Sequence, residues 1–408
     1  MKRSLTLLAV VVTVSAGAAG YWYVQGKLPQ REGEVAITGL QAPVSVRYDA
    51  RGVPHLQAQS EPDLYRALGY VHAQDRLFQM EILRRLARGE LAEVLGDKLL
   101  PTDTLFRSLR IREQAALMAK RQDPQAPAWQ ALQAYLEGVN SWQASHPKPT
   151  EFDLLGITPR PFTAEDTLSI AGYLAYSFAA AFRTEPALTY IRDQLGPDYL
   201  KIFDLGWQPE GALAAADWQS LEALARLSNE ALGDAGIPQF EGSNAWAVAG
   251  SRTRSGKPLL AGDPHISFAV PAVWYEAELS APGFNLYGYF QALNPFALLG
   301  HNRDFGWSLT MFQNDDVDLI AEKTNPANAD QVMVDGQWLT LEKTQQTIAV
   351  KGEQPVTISL RRSPHGPIVN DVLGSTTGPT PIAMWWAFLE TENPVSYTHL
   401  TLPTSDLV

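Results

Sequence analysis

Cysteine is absent from all 408 residues. That single absence removes disulfide bonds, thiolate metal sites and a cysteine nucleophile together. Clustered positive charge is missing as well. The 32 Lys and Arg are outnumbered by 44 Asp and Glu, giving a formal net charge of −12 with no long basic block. Phosphate binding needs grouped cations, so nucleic acid is disfavoured as a partner. There is no G-x-S-x-G elbow for serine chemistry, no H-E-x-x-H or other zinc spacing, and no internal repeat. What remains is globular in character. Hydrophobic residues make up 45% and charged residues 19%, in a length that holds two domains' worth of core.

The N-terminus has Lys2 and Arg3, then an apolar run over residues 5–14, then Ser15-Ala-Gly-Ala-Ala-Gly20. This is the pattern of an export signal, with Ala16-Gly-Ala18 as a cleavage site. Extended through Tyr21-Trp-Tyr-Val24, the run reaches about twenty residues, enough to span a bilayer with aromatics at its outer edge. A cleaved signal and an uncleaved anchor both stay open over residues 1–24. Either places the rest of the chain outside the cytoplasm, in the periplasm of a Gram-negative source.

Beyond this segment the apolar spacing predicts a short strand at 44–48, a turn at 51–54 and a helix from 61 to about 96. The helix is carried by Leu64, Leu68, Val71, Leu77, Phe78, Ile82 and Leu86. Helical pattern continues with breaks at Pro147-Lys-Pro149 and Pro159-Arg-Pro161, and resumes over 163–195 from Thr163-Ala-Glu-Asp166. Residues 207–241 are Ala-rich and acidic, with Leu221, Leu224 and Leu227 at helical spacing. After them the texture changes to short strands at 245–249, 259–261, 273–279 and 286–290, with Ser255-Gly-Lys-Pro258 as a turn.

Three features carry candidate chemistry. Gly242-Ser243 lies in Phe240-Glu-Gly-Ser-Asn-Ala-Trp-Ala-Val-Ala249, and on spacing alone it is a turn before a strand. If the bond before Ser243 is cut, that residue holds nucleophile and base together. Its hydroxyl attacks a carbonyl, and its α-amine, with a reference pKa of about 8, takes the proton. His265, 22 residues on, is either a polar cap on an Asp263-Pro264 turn or a proton partner for that amine. Asp315, Asp316 and Asp318 crowd three carboxylates into four residues, which a cation or solvent must relieve. A hard-oxygen calcium site and a solvated acidic turn are the alternatives.

The run Ser243-Asn-Ala-Trp-Ala-Val-Ala-Gly-Ser-Arg-Thr-Arg-Ser-Gly-Lys-Pro-Leu-Leu-Ala-Gly-Asp-Pro-His265 resembles the start of the β subunit in the penicillin acylase (penicillin amidase) family of N-terminal-nucleophile hydrolases. Arg51-Gly-Val-Pro-His-Leu-Gln-Ala58 and Gly69-Tyr-Val-His-Ala-Gln-Asp-Arg-Leu-Phe-Gln-Met-Glu81 extend the likeness upstream. Gly300-His-Asn302, Asn314-Asp-Asp-Val-Asp318 and His365-Gly-Pro367 extend it downstream, so that it covers roughly residues 35 to 394. The resemblance implies an α+β fold: the Ntn-hydrolase αββα sandwich, here incomplete, with a mostly helical α-subunit portion. It implies an α-subunit region at 25–206, a spacer at 207–242 and the N-terminal part of the β subunit at 243–394. Residues 395–408 lie outside the likeness and read as a non-native tail, a natural divergent end being the alternative. The family's β subunit runs several hundred residues past its serine, and here only about 150 remain.

By the same resemblance, the chain is a precursor that cuts itself between Gly242 and Ser243. Ser243 is the nucleophile, His265 orients its amine, and the backbone N–H of Met311 is one oxyanion donor, with Phe312 beside it. The family's second donor is an asparagine further downstream, with no counterpart here. Calcium is implied at Asp315, the Val317 carbonyl and Asp318, joined by Glu185 from the α portion. The implied reaction is hydrolysis of linear amides, such as N-acyl β-lactams or N-acyl homoserine lactones, by α and β subunits made from one precursor. An inactive truncated precursor and a calcium-stabilised protein that holds acyl ligands without turnover are the rivals. His55, His72, His301 and His365 read as structural. Phe178, Phe182, Trp274 and Phe290 suit either an acyl pocket or core packing.

Overall fold

The structure is a computed structural model. It describes residues 2–178, 181–203, 218–238, 240–311, 316–376 and 380–390. The tail at 395–408, Phe312, Asp315 and part of the spacer therefore lie outside the described residues.

The N-terminal helix α1 runs Lys2–Gln25. Among the described residues no helix is long and apolar enough to cross a membrane. The side chains of residues 2–11, which hold most of the apolar run, lie outside the described set. Tyr23 near the end of α1 and Lys27 just past it both reach the Asp153 carboxylate, and these hydrogen bonds hold its pKa well below the usual range.

Strands β1 (Ser45–Tyr48) and β2 (Pro54–Gln57) form a hairpin ahead of helix α2, Glu61–Arg88. Ser60 caps α2 by accepting from the Asp63 N–H, and acidic residues in the first turn suit the helix dipole. The helix ends at Arg88, short of the boundary expected near Gly96. Gly89 adopts the left-handed conformation, and its N–H closes onto the last carbonyls of α2. A separate short helix, α3 (Ala92–Leu95), follows. Its start is held by Asp103, whose carboxylate accepts from the Leu91 and Ala92 N–H groups at 2.8 and 2.7 Å.

Next come α4 (Leu100–Ser108), α5 (Ile111–Arg121), α6 (Pro127–Ser145), α7 (Thr150–Leu155) and α8 (Ala164–Phe178). Helices α2 and α6 touch backbone to backbone. A Cβ on Gly69 would lie 1.9 Å from the Tyr135 carbonyl oxygen, and one on Gly138 would lie 1.9 Å from that of Arg66. Thr163 and Asp166 start α8 by exchanging side chain to backbone hydrogen bonds. The helix expected to run to Leu195 is interrupted instead. Helix α9 covers Ala181–Tyr190 with Pro186 inside it, and a π-helical turn, Ile191–Leu195, ends the stretch. The helical spacing in the spacer forms α10, Trp218–Asp234, with Leu224 fully buried.

Sixteen strands are described in all. Strands β3 (Phe240–Val248) and β4 (Leu259–Ile266) pair with each other. Strands β5 (Tyr275–Ala281), β6 (Phe284–Phe290), β7 (Leu299–His301) and β8 (Gly306–Trp307) join the first hairpin in a sheet of order β1-β2-β5-β6-β7-β8. Only the β2–β5 pairing in that sheet is parallel. Its inner face, with Leu56, Ala277, Leu279 and Phe290, packs into the main core. Strand β9 (Val317–Ala321) pairs with β16 (Ile382–Trp386), and the strands between them form two small three-stranded sheets. The chain is thus α+β, with a helical half joined to a strand-rich half.

Candidate active site

Ser243 sits inside a strand, not in the turn before one. Strand β3 begins at Phe240, which pairs with Ile266; the register shifts at Glu241 and is continuous from Gly242 onward. Gly242 faces His265, Ser243 faces Pro264 and Asn244 faces Asp263. Asp263-Pro264 is accordingly strand and not turn.

Side chains alternate faces along a strand, so Ser243 points away from the face that carries Gly242, Asn244, His265 and Asp263. On the Ser243 face, the Met311 N–H donates to the Ser243 Oγ at 3.0 Å. On the other face, a Cβ on Gly242 would meet the His265 Nδ1 at 3.4 Å. The imidazole therefore lies beside the Gly242–Ser243 peptide bond, while the hydroxyl lies across the backbone from it. The His265 Nε2 lies 2.9 Å from the Asp263 Oδ2 and 3.3 Å from the Asn244 Nδ2. Asp263 joins the site although its sequence context suggests only a turn. Its spacing of two from His265 on one strand was the signal available.

The acidic segment is placed in part. The Glu185 Oε2 accepts from the Leu319 N–H at 3.0 Å, which brings it beside Asp318 on β9. Val317 is buried there, and the Asp316 carbonyl is taken by the Ala387 N–H. The oxygens in this segment suit a hard cation. Among the described residues, however, no three carboxylates or imidazoles gather where they could hold a metal ion. Asp315 lies outside the described residues.

Four of the other histidines, His55, His72, His301 and His365, find partners within the fold. His72 is fully buried, stacks on Tyr275 at 4.2 Å and meets the Tyr135 hydroxyl at 2.9 Å. Burial, helped by the Arg76 charge, pushes its pKa well below the ordinary value. His55 meets Glu278, His365 meets the buried Glu322 at 3.0 Å, and His301 stacks on Tyr287.

An apolar cavity of about 320 Å³ lies between α2, α8, the end of the spacer and the segment after β4. Phe78, Ile82, Tyr173, Ile237 and Val270 are among its walls. Of the aromatic residues read as suiting either an acyl pocket or core packing, Phe178, Trp274 and Phe290 do not line this cavity. Phe290 is buried in the core and Phe178 is 38% exposed. Trp274 borders a broader depression near the end of α1, and the Phe182 side chain lies outside the described residues.

The penicillin amidase family model matches residues 43–404. The chain belongs to that family. The acyl-homoserine lactone acylase QuiP of Pseudomonas aeruginosa is 31% identical over 362 residues, which are 85% of this chain and 42% of that protein. The penicillin acylase 2 proenzyme of Pseudomonas sp. (strain SE83) is 34% identical over 370 residues, 85% of this chain and 46% of that one. The penicillin G acylase of Escherichia coli is 27% identical, over 88% of this chain and 48% of its own. The chain thus spans less than half the length of these relatives. A solved structure of the thermostable penicillin G acylase from Alcaligenes faecalis matches 42% of this chain and 95% of its own, at 27% identity and a TM-score of 0.33.

Proposed function

We propose that this member of the penicillin amidase family is precursor sequence for an amide hydrolase whose nucleophile is Ser243. The observation that carries this is the strand pair around the Gly242–Ser243 bond. One backbone N–H meets the hydroxyl from one side, and His265 flanks the bond from the other.

In self-cleavage, the Ser243 Oγ attacks the Gly242 carbonyl carbon. The C–N bond breaks as the Oγ proton passes to the departing nitrogen, and water then hydrolyses the ester. The freed α-amine becomes the base. In turnover it takes the Oγ proton as the acyl ester forms and returns it to the leaving amine as the substrate C–N bond breaks. Water releases the acid. Met311 N–H is proposed as one donor to the oxyanion, a role that typically contributes about 10²–10³ in rate. The second donor is proposed to belong to family sequence without a counterpart in these residues.

Linear N-acyl amides are the proposed substrate class. The names of the relatives point to acyl-homoserine lactones and penicillins, and the apolar cavity suits an acyl group. The reading includes the family's αββα sandwich, processing into α and β subunits, and export directed by residues 1–24. Calcium between Glu185 and residues 315–318 is part of it as a structural ion. Readdition of Ca²⁺ after chelation should raise the unfolding temperature, and Glu185→Gln should remove the rise. An unchanged unfolding temperature in both proteins excludes the ion.

The deciding experiment is intact-mass analysis with N-terminal sequencing of every fragment, run on this chain and on the family-length protein. A fragment beginning Ser-Asn-Ala-Trp, absent from Ser243→Ala, is expected, along with loss of amide hydrolysis by at least about 10³-fold. An uncut family-length protein that still hydrolyses amides overturns the assignment. Binding of N-acyl amides without turnover would make it a binding protein.

A further inference from the structure

We infer that Asp263 is a positioning residue that fixes which nitrogen of His265 faces the Gly242–Ser243 bond. The inference rests on the reading of Ser243 above for its catalytic meaning, but its test does not. Asp263 and His265 are two apart on β4, so their side chains leave the same face. A carboxylate only accepts hydrogen bonds, so the 2.9 Å contact from Nε2 to Oδ2 requires the proton on Nε2.

The competing arrangement makes Nε2 a bare acceptor for the Asn244 amide at 3.3 Å. It would set two acceptors against each other across the shorter, charged contact. Charge-assisted hydrogen bonds are roughly twice as strong as neutral ones, so the Asp263 arrangement wins. The Asn244 amide can instead turn its oxygen toward the same proton.

With Nε2 protonated, Nδ1 carries the free lone pair. That nitrogen faces Gly242, 3.4 Å from where a side chain there would begin. Once the bond is cut, the Ser243 α-amine can donate one N–H to Nδ1. Its own lone pair is then free to turn toward the hydroxyl. Asp263 thus acts through His265 on the orientation of the base and needs no contact with substrate.

Both side chains are substantially exposed, His265 by 44% and Asp263 by 71%. Substitution at 263 therefore leaves the core alone. Exposure also bounds the effect, since accessible pairs typically shift an equilibrium by roughly fivefold or less.

The test is long-range ¹H–¹⁵N spectroscopy of the chain labelled at histidine and held uncut by Ser243→Ala. His265 is assigned by loss of its signals in His265→Gln. The expected result is an imidazole predominantly protonated at Nε2. Asp263→Ala should shift its tautomer ratio toward Nδ1–H by up to about fivefold, and Asp263→Glu should restore part of the change. A ratio unchanged in Asp263→Ala, with the fold intact, overturns the inference. Failure of the Ser243 assignment would appear separately, as cleavage or hydrolysis surviving Ser243→Ala while this tautomer shift persisted.

Discussion

Toward the end of α2 a cluster of charged side chains is sealed from water, whereas on the β3–β4 hairpin large apolar ones are open to it. Glu81 and Arg84 are completely buried, and Arg85 nearly so. Arg84 meets Glu81 directly, approaches Asp166 at 3.5 Å and lies over the Phe162 ring at 3.9 Å. On the hairpin, Trp246 is 56%, Leu259 51% and Leu260 45% exposed. The helical half is thus fixed by side chains that cannot be removed singly without leaving a buried charge. The hairpin around Ser243 is held by its backbone ladder, by the contact from Met311 and by close packing of Gly262 on Ser308 and of Leu260 on Gly306. Stability and site geometry are therefore separable by mutation.

The largest effect should come from breaking the buried network. Arg84→Ala leaves Glu81 without one of its two cationic partners in the interior, which typically costs about 3–5 kcal/mol. Urea unfolding measures this directly. A loss below about 1 kcal/mol would mean that water reaches these carboxylates and the contrast with the hairpin is false.

Smaller changes should follow pH, with two buried groups pulling in opposite directions. The unfolded chain protonates His72 below about pH 6.5 while the fold resists it, so its contribution is lost as the pH falls below 6.5. Asp103 runs the other way. Burial, outweighing the two N–H groups it accepts from, raises its pKa from 3.8 to about 6. The folded state then binds the proton more tightly, so stability falls as the pH rises from about 4 to about 6, by at most about 3 kcal/mol. Unfolding midpoints across pH 4–7 should lose the acid-side decline in His72→Phe and lose the opposing slope in Asp103→Asn. Parallel curves for all three proteins would show that neither group is coupled to folding.

The smallest effect is expected on the hairpin itself. Trp246→Ser and Leu260→Ser should each change stability by no more than about 0.5 kcal/mol, as exposed positions generally do. Unfolding on the scale of Arg84→Ala would place the hairpin in the same cooperative core and erase the distinction.

Helix α2 was legible in the sequence because its apolar spacing and first-turn acids agree. Its end was not, since Gly89 stops it through a backbone conformation that periodicity does not encode. The β3–β4 pairing was readable in outline, but its register pulled Ser243 and Asp263-Pro264 out of the turns that local composition suggested. The parallel β2–β5 pairing joins residues more than 200 apart and has no local signature. Glu81, Arg84 and Arg85 on an amphipathic helix resemble a solvated face, and only tertiary packing seals them. Asp263 reads as part of a turn from sequence because an acidic residue before proline resembles one. Glu185 was the reverse, placed by family likeness and invisible to spacing.

The close crossing of α2 and α6 at Gly69 and Gly138 limits how this protein can vary over generations. Each glycine abuts main-chain atoms of the opposite helix, at Tyr135 and Arg66, rather than a side chain that could be trimmed. A larger residue at either position therefore has no simple second-site suppressor on the facing helix. Neighbouring core positions can exchange volume with one another, but this pair must be inherited together, and unchanged.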